Sequence, residues 1–146
     1  MNNLQQQVAK WLGEPVQELP AANASDVQAV FEALGYTASS DVIALYERIG
    51  GMQSMDENYF RLWPLAQVRE ENASRSPHGV LFADYLINSW CYRVKPVSET
   101  EGSVYVDHFD GSPPLLVGRS LDEFFRSCLS DPESVLHQPR HIDAEA

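Results

Sequence analysis

The stretch SVYVDHFDG, residues 103–111, places Asp107, His108 and Asp110 within four positions of one another. Carboxylates and an imidazole so close in sequence are the residue types of a metal centre or an acid–base pair. The flanking residues favour a plainer arrangement. In a strand, successive side chains point to opposite faces. Val104, Val106 and His108 would then share one face, and Tyr105, Asp107 and Phe109 the other. Asp107 and His108 diverge and cannot close on one ion. Asp110 falls at a turn, where aspartate is favoured because its side chain bonds nearby backbone amides. His78, His137 and His141, which would have to complete a ligand set, show no metal-ligand spacing. The sequence predicts a strand running into a turn, with no metal and no cofactor.

Other reactive constellations are missing too. The chain has no G-x-S-x-G elbow, no phosphate-binding P-loop, no H-E-x-x-H and no G-x-G-x-x-G. Gly50-Gly51 follows a helical pattern instead of preceding one, which is the wrong order for an anion site at a helix N-terminus. It reads as a helix stop. Cys91 and Cys128 lie far apart in apolar surroundings and read as buried thiols, not as a zinc or redox pair. No enzyme is expected.

The elements that must position these residues follow from periodicity. Leu4, Val8, Trp11 and Leu12 lie on one side of a helix over 3–12, ended by Gly13 and Pro15. Ser25 and Gln28 have the spacing of a capping box and open a second helix carrying Val27, Val30, Phe31 and Leu34, closed by Gly35. Ser40 is the expected N-cap of a third, with Val42, Leu45, Tyr46 and Ile49 as its apolar stripe.

The character then changes. NYFRLWPL and AQV read as short strands, with Pro64 marking a break between them. VLFADYL and WCYRVK, joined by INS, form a plausible hairpin, and SVYVDHF and LLVG add strands. Ser120 and Glu123 start a last helix with Leu121, Phe124, Phe125, Cys128 and Leu129 inward, and Asp131-Pro132 begins one further helical turn. The tail 137–146 reads as flexible. Helices first, strands together, helix last: the order predicts a single α+β domain over 1–146, with a central antiparallel twisted sheet of about five or six strands.

Twenty-one acidic residues against ten basic give a net charge of −11. Such a chain does not bind nucleic acid through phosphate contacts, which need Lys and Arg, and anionic membranes repel it. It associates readily with a basic protein. Asp56 and Glu57, Glu99 and Glu101, and Asp107 and Asp110 all fall in loops or strand ends. If those loops gather at one end of the sheet, they form an acidic rim. The opening stretch MNNLQQQVAKWLGEP lacks a basic segment followed by an apolar core, and no long apolar run occurs elsewhere. A cytoplasmic location is expected.

Taken in order, several short motifs resemble the SMI1/KNR4 family of the SUKH superfamily over roughly 25–130. They are Phe31-Glu32 with Leu34-Gly35, the LYERIGG helix end, FRLWPLAQV, the paired strands of GVLFADYLINSWCYRV, VYVDHFDG, and SLDEFFRSCL. The helix over 3–12 stands outside that stretch as an extension. Ile49 occupies the place of the family's Asn before the two glycines, and TASSD replaces its usual Leu-Pro.

The resemblance implies a non-enzymatic immunity protein that binds and neutralises a cognate bacterial toxin domain, often a nuclease. The alternative it implies is a regulatory or scaffolding module with a cellular partner. On the immunity reading the acidic residues named above steer association and Tyr59 or Trp63 supplies the aromatic anchor, since buried aromatics carry most interface energy while rim charges set on-rate. A monomer or weak dimer is expected.

Overall fold

The computed structural model describes residues 2–72 and 75–136 of the chain. Helix α1 (Asn3–Leu12) opens with a capping box: the Asn2 side chain accepts from the Gln5 amide, and the Gln5 side chain returns the bond to the Asn2 amide. Helix α2 (Ala24–Ala33) is capped by Asn23, whose side chain accepts from the Asp26 amide. The Ser25–Gln28 box expected from the sequence is not the cap, because Asn23, two residues earlier, takes that place and the Ser25 hydroxyl donates to it instead. Helix α3 (Ser40–Arg48) likewise has Ser39, not Ser40, at its N-cap.

Strand β1 (Phe60–Leu62) is followed by helix α4 (Leu65–Glu71). The reading of AQV as a strand is therefore corrected. A three-residue apolar pattern fits either period, and Pro64, extended at the N-cap position, starts a helix that buries Val68. Strands β2 (Val80–Tyr85), β3 (Trp90–Pro96), β4 (Gly102–Asp107) and β5 (Leu115–Gly118) come next. Helix α5 (Leu121–Ser130) and a 3₁₀ turn (Pro132–Val135) complete the described chain. The tail expectation for 137–146 lies outside the described residues.

The five strands form one antiparallel sheet in sequence order, an α+β arrangement with helices at both ends of the chain. Directly opposed pairs define its two faces. Phe60, Tyr85 and Trp90 lie level on one face, as do Leu62, Ala83, Tyr92, Val106 and Leu115. Against this face pack α1 and α5. Trp11 stacks on Phe60 at 5.5 Å and meets Phe125 edge-on at 5.6 Å, while Phe124 contacts Phe60 and Tyr92. Arg61, Asp84, Cys91 and Asp107 form a row on the opposite face.

The double glycine has a steric cause. Residues 49–54 run beside the segment 16–20, with the Leu19 amide on the Gly51 carbonyl and the Gly50 amide on the Leu19 carbonyl. A Cβ on Gly50 would lie 1.8 Å from the Pro20 carbonyl oxygen. Gly51, at φ 136°, sits against Pro64.

Two carboxylates tie the helices together. Asp41 accepts from the amides of Val42, Gly102 and Leu121, joining α3 to β4 and α5. Asp122 caps α1 from α5, accepting from the Asn3 amide at 2.8 Å, the Asn3 side chain at 3.0 Å and the Leu4 amide at 3.3 Å. Burial alone would raise the Asp122 pKa, but the Asn3 and Leu4 donors outweigh it and the net shift is downward. A carboxyl whose folded pKa is depressed stabilises above its unfolded pKa, and the contribution fades as pH falls through the folded value. Asp122→Ala is therefore expected to cost about 1 kcal/mol at neutral pH and little once both states are protonated. Thermal melts of the two proteins at neutral and at strongly acid pH check this.

Candidate partner-binding site

The strand register decides which loops gather. The 56–59 loop before β1, the β2–β3 turn (residues 86–89) and the β4–β5 turn (residues 108–114) all lie at the sheet end marked by Phe60, Tyr85, Trp90 and Asp107. The β3–β4 loop (residues 97–101) lies at the other end. β3 has seven residues, and at about 3.3 Å per residue the two ends are roughly 20 Å apart.

The expected acidic rim is thus divided. Glu99 and Glu101 are on the far side, where the Glu99 carbonyl accepts from the Ser40 amide and caps α3. Asp56, Glu57, Tyr59, Asp107 and Asp110 share the near end. Trp63 joins neither group. It is 1% exposed, its indole N–H donates to Asp84 Oδ2 at 2.7 Å, and it is a core residue with no surface to serve as an anchor.

At the near end most of the acidic residues hold loops in shape. Asp56 is buried and accepts from Trp11 Nε1 at 2.8 Å and from the amides of Asn58 and Phe60 at 2.8 and 3.1 Å. Burial pushes its carboxyl above the ordinary range despite these donors. Asp107 accepts from Arg93 Nε at 2.9 Å and from the Phe109 amide at 2.9 Å. Asp110 is exposed and takes the Ser112 hydroxyl and amide, which hold its carboxyl below the ordinary range. Glu57 is exposed and pairs with Lys10.

His108 faces the other way from Asp107. Its ring meets Trp90 edge-on at 4.7 Å, and its Nε2 lies 2.7 Å from the Leu136 carbonyl oxygen. Asp107, His108 and Asp110 thus share no partner. Among the described residues no three His, Cys, Asp or Glu side chains are grouped to hold a metal ion. Both cysteines are free, and burial pushes the Cys91 thiol up to about 12 and Cys128 up as well, away from the thiolate that reactive cysteines need.

Beside the exposed Glu57 and Asp110, the near end presents large apolar side chains to solvent. Ile87 is 74% exposed, Phe109 55%, Tyr59 50% and Leu86 43%, four of the six large hydrophobic side chains exposed among the described residues. These four residues, with Asn88, also have left-handed backbones, φ between 50° and 67°. Only Gln17 among the other described non-glycine residues shares that conformation. For a β-branched residue such as Ile87 it is an outlier. The rim is braced from beneath by rings running across the sheet: Tyr59 on Tyr85 at 6.2 Å, Tyr85 on Trp90 at 5.5 Å, then His108. The Leu86 amide donates to the Tyr59 carbonyl at 2.8 Å and joins two of the loops directly.

Sequence reasoning selected Tyr59 but passed over Leu86, Ile87 and Phe109. A signal was present in DYLINSW: a hairpin turn is normally polar, and two aliphatic residues at its tip contradict that.

Fold and rim together describe an acidic α+β protein with large apolar side chains exposed at one end of its sheet. The chain belongs to the SMI1 / KNR4 family (SUKH-1), whose model matches residues 21–127. No curated protein matches it. The matched stretch begins after α1 and ends within α5, so the helix bearing Trp11 lies outside it while filling the core.

Proposed function

We propose that this protein is a non-enzymatic immunity protein of the cytoplasm that binds a cognate bacterial toxin domain through the apolar rim and neutralises it. The observation that carries the reading is the rim itself. Exposed aliphatic and aromatic side chains at one sheet end, on backbone that costs energy to hold, are a poor solution for solubility and a good one for a desolvated contact. The charge of −11 supports a basic partner, which a nuclease-type toxin is, since it holds its own substrate through phosphate contacts. Membership of the SMI1/KNR4 family supports the same role. In the described residues no helix is long and apolar enough to cross a membrane.

The test is a tagged pull-down from the native cell, followed by assay of the captured domain. A basic toxin domain held at low salt, weakened at high salt and inhibited one-to-one by this protein is the expected outcome. Capture of a housekeeping complex, with no rescue of growth when candidate toxins are co-expressed, replaces the immunity reading with that of a scaffold.

A further inference from the structure

On the face opposite α1 and α5, beside the rim, a surface pocket of about 320 Å³ is lined by Gln53, Ser54, Met55, Arg61, Asp84 and Ile87. Asp84 is 1% exposed, and its two oxygens are unequally served. Oδ2 accepts from Trp63 Nε1 at 2.7 Å and from Arg61 Nη2 at 3.3 Å. The second contact is longer than the 2.7–2.9 Å typical of charge-assisted bonds. The Arg61 guanidinium is also shared with the Met52 carbonyl and Gln67 Oε1. Oδ1 has no hydrogen-bond partner, alone among the buried side-chain polar atoms of the described residues. Such an atom costs free energy until a donor reaches it.

The surrounding charge points to the sort of donor. Asp84 and Asp107 are directly opposed to Cys91 from its two neighbouring strands, so two carboxylates flank one neutral thiol. Arg93 pairs with Asp107 and Arg61 with Asp84 Oδ2, which leaves Asp84 Oδ1 as the free acceptor beside this row. We infer that the pocket is a subsite for one basic side chain, arginine or lysine, of the protein partner, with Asp84 Oδ1 as its acceptor and Ile87 as the wall shared with the rim. The inference rests on the partner-binding reading above and names the chemistry that reading lacks. A cation beside an apolar rim is a common composition for the centre of a tight interface, where arginine is enriched.

The probe is methylguanidinium, titrated into the isotope-labelled protein and followed by amide NMR. Expected are saturable shifts confined to Ser54, Met55, Asp84 and Ile87, at least about tenfold weaker in Asp84→Asn. That variant keeps an oxygen for the Trp63 N–H but loses the charge. Should it fail to fold, Ser54→Lys decides the matter, because it places an ammonium in the pocket from within the chain. It is expected to raise the melting temperature and abolish the methylguanidinium shifts. Shifts that are scattered and linear, or that persist in the folded variant, overturn the subsite. No toxin is needed, so failure here leaves the immunity reading standing. Failure of growth rescue with an intact titration removes the immunity reading alone.

Discussion

Trp11→Ala is expected to lower the free energy of unfolding by about 4 kcal/mol and the melting temperature by roughly 12 °C. The indole is almost wholly buried. It stacks on Phe60, meets Phe125 edge-on and donates its N–H to Asp56. Truncation leaves a cavity between α1, α5 and the sheet, and strips a donor from a buried carboxylate.

Trp11→Phe separates the two contributions. The stack is kept, Asp56 Oδ2 loses its donor, and a loss of about 2 kcal/mol is expected. Chemical denaturation of the three proteins measures both numbers. The result also bears on function. Asp56 fixes the turn that leads to Tyr59, through the Asn58 and Phe60 amides and the Tyr59 amide on its own carbonyl. The helix outside the family-matched stretch therefore sets the rim loop from below. Trp11→Phe should weaken partner binding although residue 11 is too deeply buried to touch a partner.

Ile87→Gly is expected to act in opposite directions on stability and on binding. Left-handed backbone costs an L-residue roughly 1–2 kcal/mol and glycine almost nothing. The side chain is 74% exposed, so its removal forfeits little packing. The variant should melt higher than the parent by a few degrees. It should also bind its partner about 30-fold more weakly, as loss of a central aliphatic contact worth about 2 kcal/mol implies. Adding Phe109→Asp should bring the loss past about a thousandfold, with the fold still intact. A purely structural role for the 86–88 turn predicts the reverse: Ile87→Gly would leave affinity unchanged. Calorimetric melts beside a binding titration with the captured partner distinguish the two.

How much of this was legible beforehand depends on the physics behind each feature. α1, α2, α3 and α5 were readable because their buried residues recur at helical spacing, as Val27, Val30 and Phe31 do. The strands β2 to β5 were readable from β-branched and aromatic runs between turn residues. α4 was not, because LAQVREE buries only Val68 and one apolar position carries no period. Ser120 was placed correctly as the cap of α5, while the caps of α2 and α3 lie two and one positions earlier than expected, at Asn23 and Ser39.

At the site, the opposite orientation of Asp107 and His108 followed from strand alternation alone, and the structure gives each its own partner. The separation of Glu99 and Glu101 from the other acidic residues required the sheet order, which no local pattern contains. Trp63 was misjudged because a strand-end tryptophan packs inward or outward according to what faces it, and here Asp84 waits beneath. Beyond the two aliphatic residues at the hairpin tip, the rim was hard to read for a conformational reason. Leu86 and Ile87 are not residues that announce a left-handed turn, and the bond from Leu86 to Tyr59 joins loops far apart in sequence.

The most direct test of the central claim is amide hydrogen–deuterium exchange of the protein alone and in complex with its captured partner. Slowed exchange at residues 56–59, 85–90 and 107–110, with none at 97–101, is the predicted result. Protection centred on residues 97–101, with the near end unchanged, would contradict the assignment of the apolar rim as the partner-binding site.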